Sequence, residues 1–330
     1  MSVDGLWRRW VGFWDRKEGP ESLALVRILV GSVLVADLAG MVGHGLVPDF
    51  WLAPPRGLGW AGAAEVTGVW QALGSSAGAV SALFVVAVLG ALAVTLGVLL
   101  RPAALLCIVA TALLAHLAPE GERAIDMLLR IVLVVLALSR ADAKWSLESL
   151  RERRHGRSEP ESIPAWPRLL LFGQLVWVYF SAAQNRGGRE WWPNGGFLAL
   201  SRVLSDPHFA RFAPGWTTGI EPFSRVATAL TMLFELGSPL ILVFTWLDRD
   251  GERNGPFARA IRRLRLRFVW LGLGASLHVG IAVTMRLGIF PFGMLALYPL
   301  FFAPEELRAF CERVRRLSAK ASPNAAEARG

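Results

Sequence analysis

The sequence predicts an all-α polytopic transmembrane helix bundle of about eight spans, with both the N and C termini cytoplasmic. Three observations predict it. Apolar runs recur down the chain at close to the roughly 20-residue length that crosses a bilayer as a helix. The 330 residues are 54% hydrophobic with a mean hydropathy of +0.43, which a core of two soluble domains would not easily hide. The cations, finally, alternate between successive connections.

The elements follow in chain order. Residues 1–20 place Trp7, Trp10, Phe13 and Trp14 at helical spacing, with Arg8, Arg9, Arg16 and Lys17 among them. That is the pattern of an interfacial amphipathic helix. Apolar length and flanks then give spans at roughly 23–47, 78–100, 102–118, 124–139, 168–184, 224–247, 268–285 and 289–303. The first run is span-length and lacks a small-residue cleavage site after it, so it reads as a span rather than a signal. Only Arg101-Pro102 separates the second and third runs, a tight hairpin in which proline can open the helix because its missing N–H is unpaired there. The fourth and eighth runs are short and read as tilted, buried or re-entrant. Residues 48–77 carry Pro48, Pro54 and Pro55, then AAEVTGVWQAL, a short surface helix. Residues 185–223 carry Trp191, Trp192 and Trp216; both segments read as lying at the membrane interface. The domain organisation is thus an interfacial segment at 1–20, a transmembrane domain at 21–310, and a basic, disordered cytoplasmic tail at 311–330.

With the N-terminus inside, 25 of the 35 Lys and Arg fall on inner segments against 7 on outer ones. Cytoplasmic loops collect cations in this way. Seven spans would strand the cationic tail outside. The formal charge of +9 therefore reflects the anionic leaflet rather than nucleic acid. Cys107 and Cys311 have no CxxC spacing, and no HExxH, Walker A, GxSxG or zinc-type spacing is present. No metal site is expected. LGLG at 271–274 reads as small residues for helix packing.

Ionisable groups within spans are costly, so each is a candidate for function. They are Arg27, Asp37, His44, His116, Asp126, Arg130, Glu235 and His278. The topology puts most of them in outer halves, with Gln184, Asn185 and Arg186 closing the fifth span on the outer side. The expectation is a polar cavity opening outward, lined by Asp37, His44, His116, Asp126, Arg130, Gln184, Asn185, Arg186 and His278. Bland alternatives stand beside it. Asp126 and Arg130, four apart on one helix, can simply pair. Single membrane histidines often only bridge helices. An interfacial Arg186 can snorkel. Glu235, one turn before Pro239, needs a partner or a proton.

Several segments resemble the HTTM (horizontally transferred transmembrane) family, whose best-known members are vitamin K-dependent gamma-carboxylases. They are LALVRILVG around Arg27, GALAVTLGVLLR ending at Arg101, DMLLR at Asp126–Arg130, WSL at 145–147, YFSAAQNRGGREWWPNG from Tyr179, FELGSPL around Glu235, LHVGIAVTMRLGIFPF around His278 and PLFFAPEE at 299–306. Their order and spacing cover roughly residues 20–310. The resemblance implies a lysine base just after the YF-containing span, and counting from Tyr179 puts Arg186 there. Lysine can shed its proton when desolvated; arginine effectively cannot. The chain's three lysines, Lys17, Lys144 and Lys320, all fall on the cytoplasmic side. The family histidine implied near Ile125–Asp126 is also missing.

The expected function is a non-carboxylating membrane protein that binds a lipid, a quinone or a membrane partner in the outward cavity, with Arg186 as an anion anchor. The alternative is an enzyme of the hydroquinone-oxidising type using His278, Glu235 or Asp126 as base, and its cofactor by resemblance would be a quinone or vitamin K-like hydroquinone. A transporter, with breaks at Pro239 and Pro291, ranks third. Expected partners are membrane lipids and a membrane or secreted protein. An Arg-rich, Lys-poor composition points to a bacterial inner membrane.

Overall fold

Long apolar runs punctuated by glycine, proline and charge become helices because each run satisfies its own backbone, which is what a bilayer requires. The computed structural model describes residues 3–52, 57–58, 76–249 and 255–321. Two compact units divide the chain, one of residues 1–169 and 296–330 and one of residues 170–295.

The first unit opens with α1 (Val3–Trp14), a two-residue strand β1 (Lys17–Glu18) and α2 (Glu21–Gly43), followed by the short α3 (Leu46–Trp51). A bundle continues through α4 (Ala77–Leu96), α5 (Leu100–Leu117) and α6 (Ala124–Leu138), packed in the series α2 on α4, α4 on α5, α5 on α6. Ser76 caps α4 by accepting from the Ala79 N–H at 3.2 Å. Gly97 ends it at φ 65°, in the left-handed region that glycine enters without steric cost. Pro102 lies in the first turn of α5, as the hairpin reading requires. After α7 (Leu147–Arg154) comes β2 (Ile163–Pro164), antiparallel to β1, and then α8 (Trp166–Gln184).

Gly31 sets the spacing between α2 and α4. A Cβ there would lie 2.3 Å from Thr95 Oγ1 and 2.8 Å from the Thr95 backbone nitrogen. Gly31→Ala must push the two helices apart, at a cost of roughly 1–3 kcal/mol. Thermal unfolding in detergent should show the loss; an unchanged midpoint would mean that the helices separate freely.

One end of α2 gathers segments that are far apart in sequence. Glu21, fully buried, accepts from Lys144 Nζ at 2.8 Å and from Arg308 Nε at 2.7 Å. Arg168 donates twice to Glu18 at 2.6 Å and once to the Leu300 carbonyl at 3.1 Å. Ser22 donates to the Phe302 carbonyl at 3.0 Å. The start of the first long helix, the connection after α6 and the start of the last described helix, α15 (Pro304–Ala321), therefore meet at the same end of α2.

The second unit holds the rest of α8, then α9 (Ala199–Ser205), α10 (Thr217–Leu236), α11 (Leu240–Arg249), α12 (Pro256–Arg263), α13 (Leu266–Thr284) and α14 (Phe290–Ala296). The sixth apolar segment, expected as a single span, is two helices bent by 69° across residues 237–239. Pro239 cannot continue the ladder. The Ser238 hydroxyl holds the corner by donating to the Val176 carbonyl at 3.0 Å. A bridge between Ala210 and Met285 ties the long connection after α9 to the end of α13.

Among the described residues, four helices are long and apolar enough to cross a membrane (α2, α4, α5 and α13), or up to five if the bent pair forms one span. The remaining expected segments are also helical, but α6 has only 15 residues and the eighth is α14 followed by a 3-10 turn at Tyr298–Phe301. Residues 311–321, expected to be disordered, continue α15 instead. The surface helix read in AAEVTGVWQAL lies outside the described residues.

Candidate functional site

The expected polar residues fall into two sets, one in each unit. In the first unit, a partly open cavity of about 60 Å³ lies among α2, α3, α4, α5 and α6. Helical periodicity builds its wall. Leu34, Asp37, Leu38 and Met41 fall at i, i+3, i+4 and i+7 on α2, and Thr111, Leu114 and Ala115 at i, i+3 and i+4 on α5. Trp51 closes one side, its indole N–H donating to the Leu114 carbonyl at 3.0 Å and its ring edge-on to Phe84 at 5.0 Å.

Charge sits at the α6 end. Arg123, the residue before α6, offers a fork to each of two carboxylates. Nη1 and Nη2 donate to the two Asp37 oxygens at 3.1 and 2.5 Å, and Nε and Nη2 donate to Asp126 at 3.0 and 2.8 Å. The Arg123 backbone N–H also donates to Asp126 at 2.9 Å, so the same carboxylate caps the helix. Burial disfavours the Arg123 cation, but the hydrogen bonds and charges of Asp126 and Asp37 outweigh it and raise its pKa above the ordinary value. Beside this triad, Arg130 pairs with Glu122.

The internal Asp126–Arg130 pair read from the sequence is therefore replaced by Arg123–Asp126 and Glu122–Arg130. Asp126 turns to its own helix N-terminus, where orphan N–H groups await a carboxylate. His44 and His116 are exposed, at or near the ends of α2 and α5, and neither lines the cavity. Arg123, which falls between the third and fourth expected spans and so outside the list of ionisable groups within spans, is the residue that sequence reasoning missed. The available signal was its place three residues before Asp126, at a helix start.

In the second unit, Arg186 stands just beyond α8 and meets Glu235 near the end of α10. The fork is bidentate, Nε to Oε2 at 2.8 Å and Nη2 to Oε1 at 2.5 Å. The Arg186 guanidinium lies 3.7 Å from the centre of the Trp191 ring, and the Trp192 indole donates to the Arg186 carbonyl at 3.2 Å. Glu235 thus finds its partner in Arg186, and Arg186 is neutralised from within rather than held open for an external anion. Gln184 and Asn185 are exposed; Asn185 donates back to the Ser181 carbonyl at 2.8 Å. His278 is buried on α13, with Nε2 2.7 Å from the Tyr179 hydroxyl. Phe234 packs edge-on to Tyr179 at 4.7 Å and stacks on Trp270 at 4.3 Å, while Phe290 approaches His278 at 5.8 Å. The contribution of Tyr179, reached from a different helix, was not visible in the sequence.

No cluster of three or more His, Cys, Asp or Glu fit to hold a metal ion occurs among the described residues. Cys107 is buried and Cys311 half-buried, both as free thiols.

No curated protein and no solved structure matches the chain. A family model does: the HTTM domain, over residues 15–248. That stretch holds Arg27, the whole cavity of the first unit, Arg186 and Glu235, whereas the segment around His278 lies beyond it. The match covers more than two thirds of the sequence and agrees with an apolar, helical, multi-pass architecture, and the chain belongs to the HTTM family.

Proposed function

We propose that this protein binds an amphipathic small molecule, a lipid or a quinone, in the cavity of its first unit. The observation that carries the reading is the cavity's division. Asp37, Arg123, Asp126, Glu122 and Arg130 supply its charge, and most of the remaining lining is apolar, with Leu34, Leu38, Met41, Trp51, Phe84 and Leu133 among it. Ligand pockets combine an apolar lining with a few placed polar groups in this way. A volume of about 60 Å³ suits a head group of a few heavy atoms, the apolar body running on along the helices. The head group would meet fixed hydrogen-bonding groups in a low dielectric, where they act most strongly.

The wider frame is an eight-span protein with both termini cytoplasmic, in a bacterial inner membrane. The meeting of Glu21, Lys144 and Arg308 at one end of α2 supports it, because the N-terminal segment, the 140–168 connection and the C-terminal helix are all cation-rich segments assigned inside. Gamma-carboxylation does not fit. Arg186 stands where the family's lysine base is implied, and its cation is locked to Glu235. A membrane or secreted protein partner is compatible with this frame.

A second reading, an enzyme of the hydroquinone-oxidising type, draws on the buried Tyr179–His278 hydrogen bond, which supplies a positioned base on an aromatic wall. Transport is the third, resting on the bend at residues 237–239.

Mass spectrometry of lipids and quinones extracted from the purified protein tests the proposal. Expected is a species enriched over an unrelated membrane protein and depleted in Ala115→Phe, which adds a ring to the cavity wall. An extract that matches bulk lipid, or enrichment unchanged in Ala115→Phe, would overturn it. Turnover of added hydroquinone that disappears in His278→Ala would move the assignment to the enzyme.

A further inference from the structure

The last described helix, α15, carries an apolar stripe that its own unit does not cover. Phe310, Val314 and Leu317 recur at i, i+4 and i+7 and are 64%, 45% and 61% exposed. On a helix this spacing lays the three side chains along one face. Arg313 flanks that face, and Arg315 and Arg316 lie further round, with Glu312 on the opposite side. The sequence had marked this region only as a basic tail.

The helix begins at a defined level. Arg308, in its first turns, donates to Glu21 at 2.7 Å, and Glu21 opens the apolar helix α2. The Phe302 carbonyl just before it accepts from Ser22. So α15 leaves the protein at the start of α2, a helix long and apolar enough to cross a membrane. A second amphipathic helix leaves from the same end. After α1, the Arg16 carbonyl accepts from the Ala165 N–H at 2.8 Å, β1 pairs with β2, and Trp7, Trp10 and Val11 of α1 are exposed beside Arg8.

We propose that α15 lies on the membrane surface as an anchor for anionic lipid, with Phe310, Val314 and Leu317 dipped into the acyl boundary and its arginines at the lipid phosphates. Charge and position choose this occupant. An apolar stripe beside an arginine-rich flank is the composition of an interfacial helix, and each cation near an anionic leaflet is attracted to it. α1 then forms the second half of a paired anchor around the start of α2. The inference is independent of what occupies the cavity of the first unit.

The test uses the full chain in nanodiscs, with Cys311→Ser removing the half-buried thiol and Cys107 left in place because it is buried. An environment-sensitive dye is attached at Val314→Cys or, as the opposite-face control, at Glu312→Cys. In phosphatidylcholine containing phosphatidylglycerol, nitroxide-labelled lipid should quench the 314 dye several-fold more than the 312 dye, while aqueous iodide should do the reverse. Replacing the anionic lipid by phosphatidylcholine, raising the salt, or adding Arg313→Glu with Arg316→Glu should each move the 314 dye toward iodide. Equal iodide quenching at both positions would overturn the proposal. So would protection of the 314 dye that ignores lipid charge or grows with protein concentration, since that marks a second copy or the protein itself as the occupant.

Discussion

Arg27→Ala is expected to be the most damaging single substitution in the first unit. The guanidinium is fully buried yet meets no carboxylate at hydrogen-bond distance among its contacts. It is held instead by carbonyls: Val94 at 2.8 Å and Thr95 at 2.5 Å from the last turn of α4, Ala141 at 3.1 Å and Trp145 at 2.6 Å from the connection after α6. Carbonyls at helix ends are short of partners, although Val94 also accepts from the Gly97 N–H at 3.1 Å, and a cation at a helix C-terminus meets the favourable end of the dipole. Removing it takes a donor from each of these carbonyls and opens a large cavity. A loss of roughly 3–5 kcal/mol is expected from the cavity and the under-satisfied carbonyls together. Arg27→Lys should recover only part, because one ammonium cannot reach four carbonyls spread around a planar fork. Gly97→Ala should resemble it, since its Cβ would come 2.8 Å from Arg27 Nη1 and 2.4 Å from Ser146 Cβ, at a residue already in the left-handed region. Thermal unfolding in detergent measures all three; a melting temperature within a degree or so of the parent for Arg27→Ala would refute the carbonyl-staple account.

Arg123→Ala should have the second largest effect, and on two readouts. Asp37 and Asp126 are left close together at the charged end of the cavity without their shared cation. With Arg123 about a third exposed, the stability loss is expected at roughly 2–3 kcal/mol, below that of a fully buried pair. The small molecule proposed to bind here should be lost from the extract altogether. Asp37→Asn separates these effects: it keeps the side chain's shape and Arg123 keeps Asp126, so the fold should survive while occupancy falls. Full occupancy in both variants would locate the ligand elsewhere.

How much of this was legible beforehand depends on the range of each interaction. Helix positions follow from apolar length and from local signals such as Pro102, so most boundaries agree within a few residues. Arg27, Asp37, Asp126, Arg130, Glu235 and His278 stood out because an ionisable group in a span is expensive wherever it points. Their partners did not. The Asp126–Arg130 spacing offered a pair four residues apart on one helix, yet Asp126 gains more by capping its own helix and meeting Arg123. Arg130 then turns to Glu122. His44 and His116 looked like cavity residues by depth alone, but depth says nothing of azimuth, and their faces of the helices turn outward. The corner at residues 237–239 was legible only as a proline; its size is set by Ser238 reaching Val176 on another helix.

By itself, then, the sequence determined that this chain is a helical, multi-pass membrane protein of the HTTM family, and it picked out most of the ionisable groups that lie within its apolar helices. Those properties are carried by composition and by contacts within a few residues along one helix. Tertiary structure alone decided that Arg27 is solvated by carbonyls from two distant segments, that Arg123 bridges Asp37 and Asp126, that Arg186 is neutralised by Glu235, and that Tyr179 meets His278. Each of these joins residues 49 to 118 positions apart or turns a local pair toward a better partner. In a low-dielectric interior the strongest available partner wins, and which partner is available is a property of helix packing.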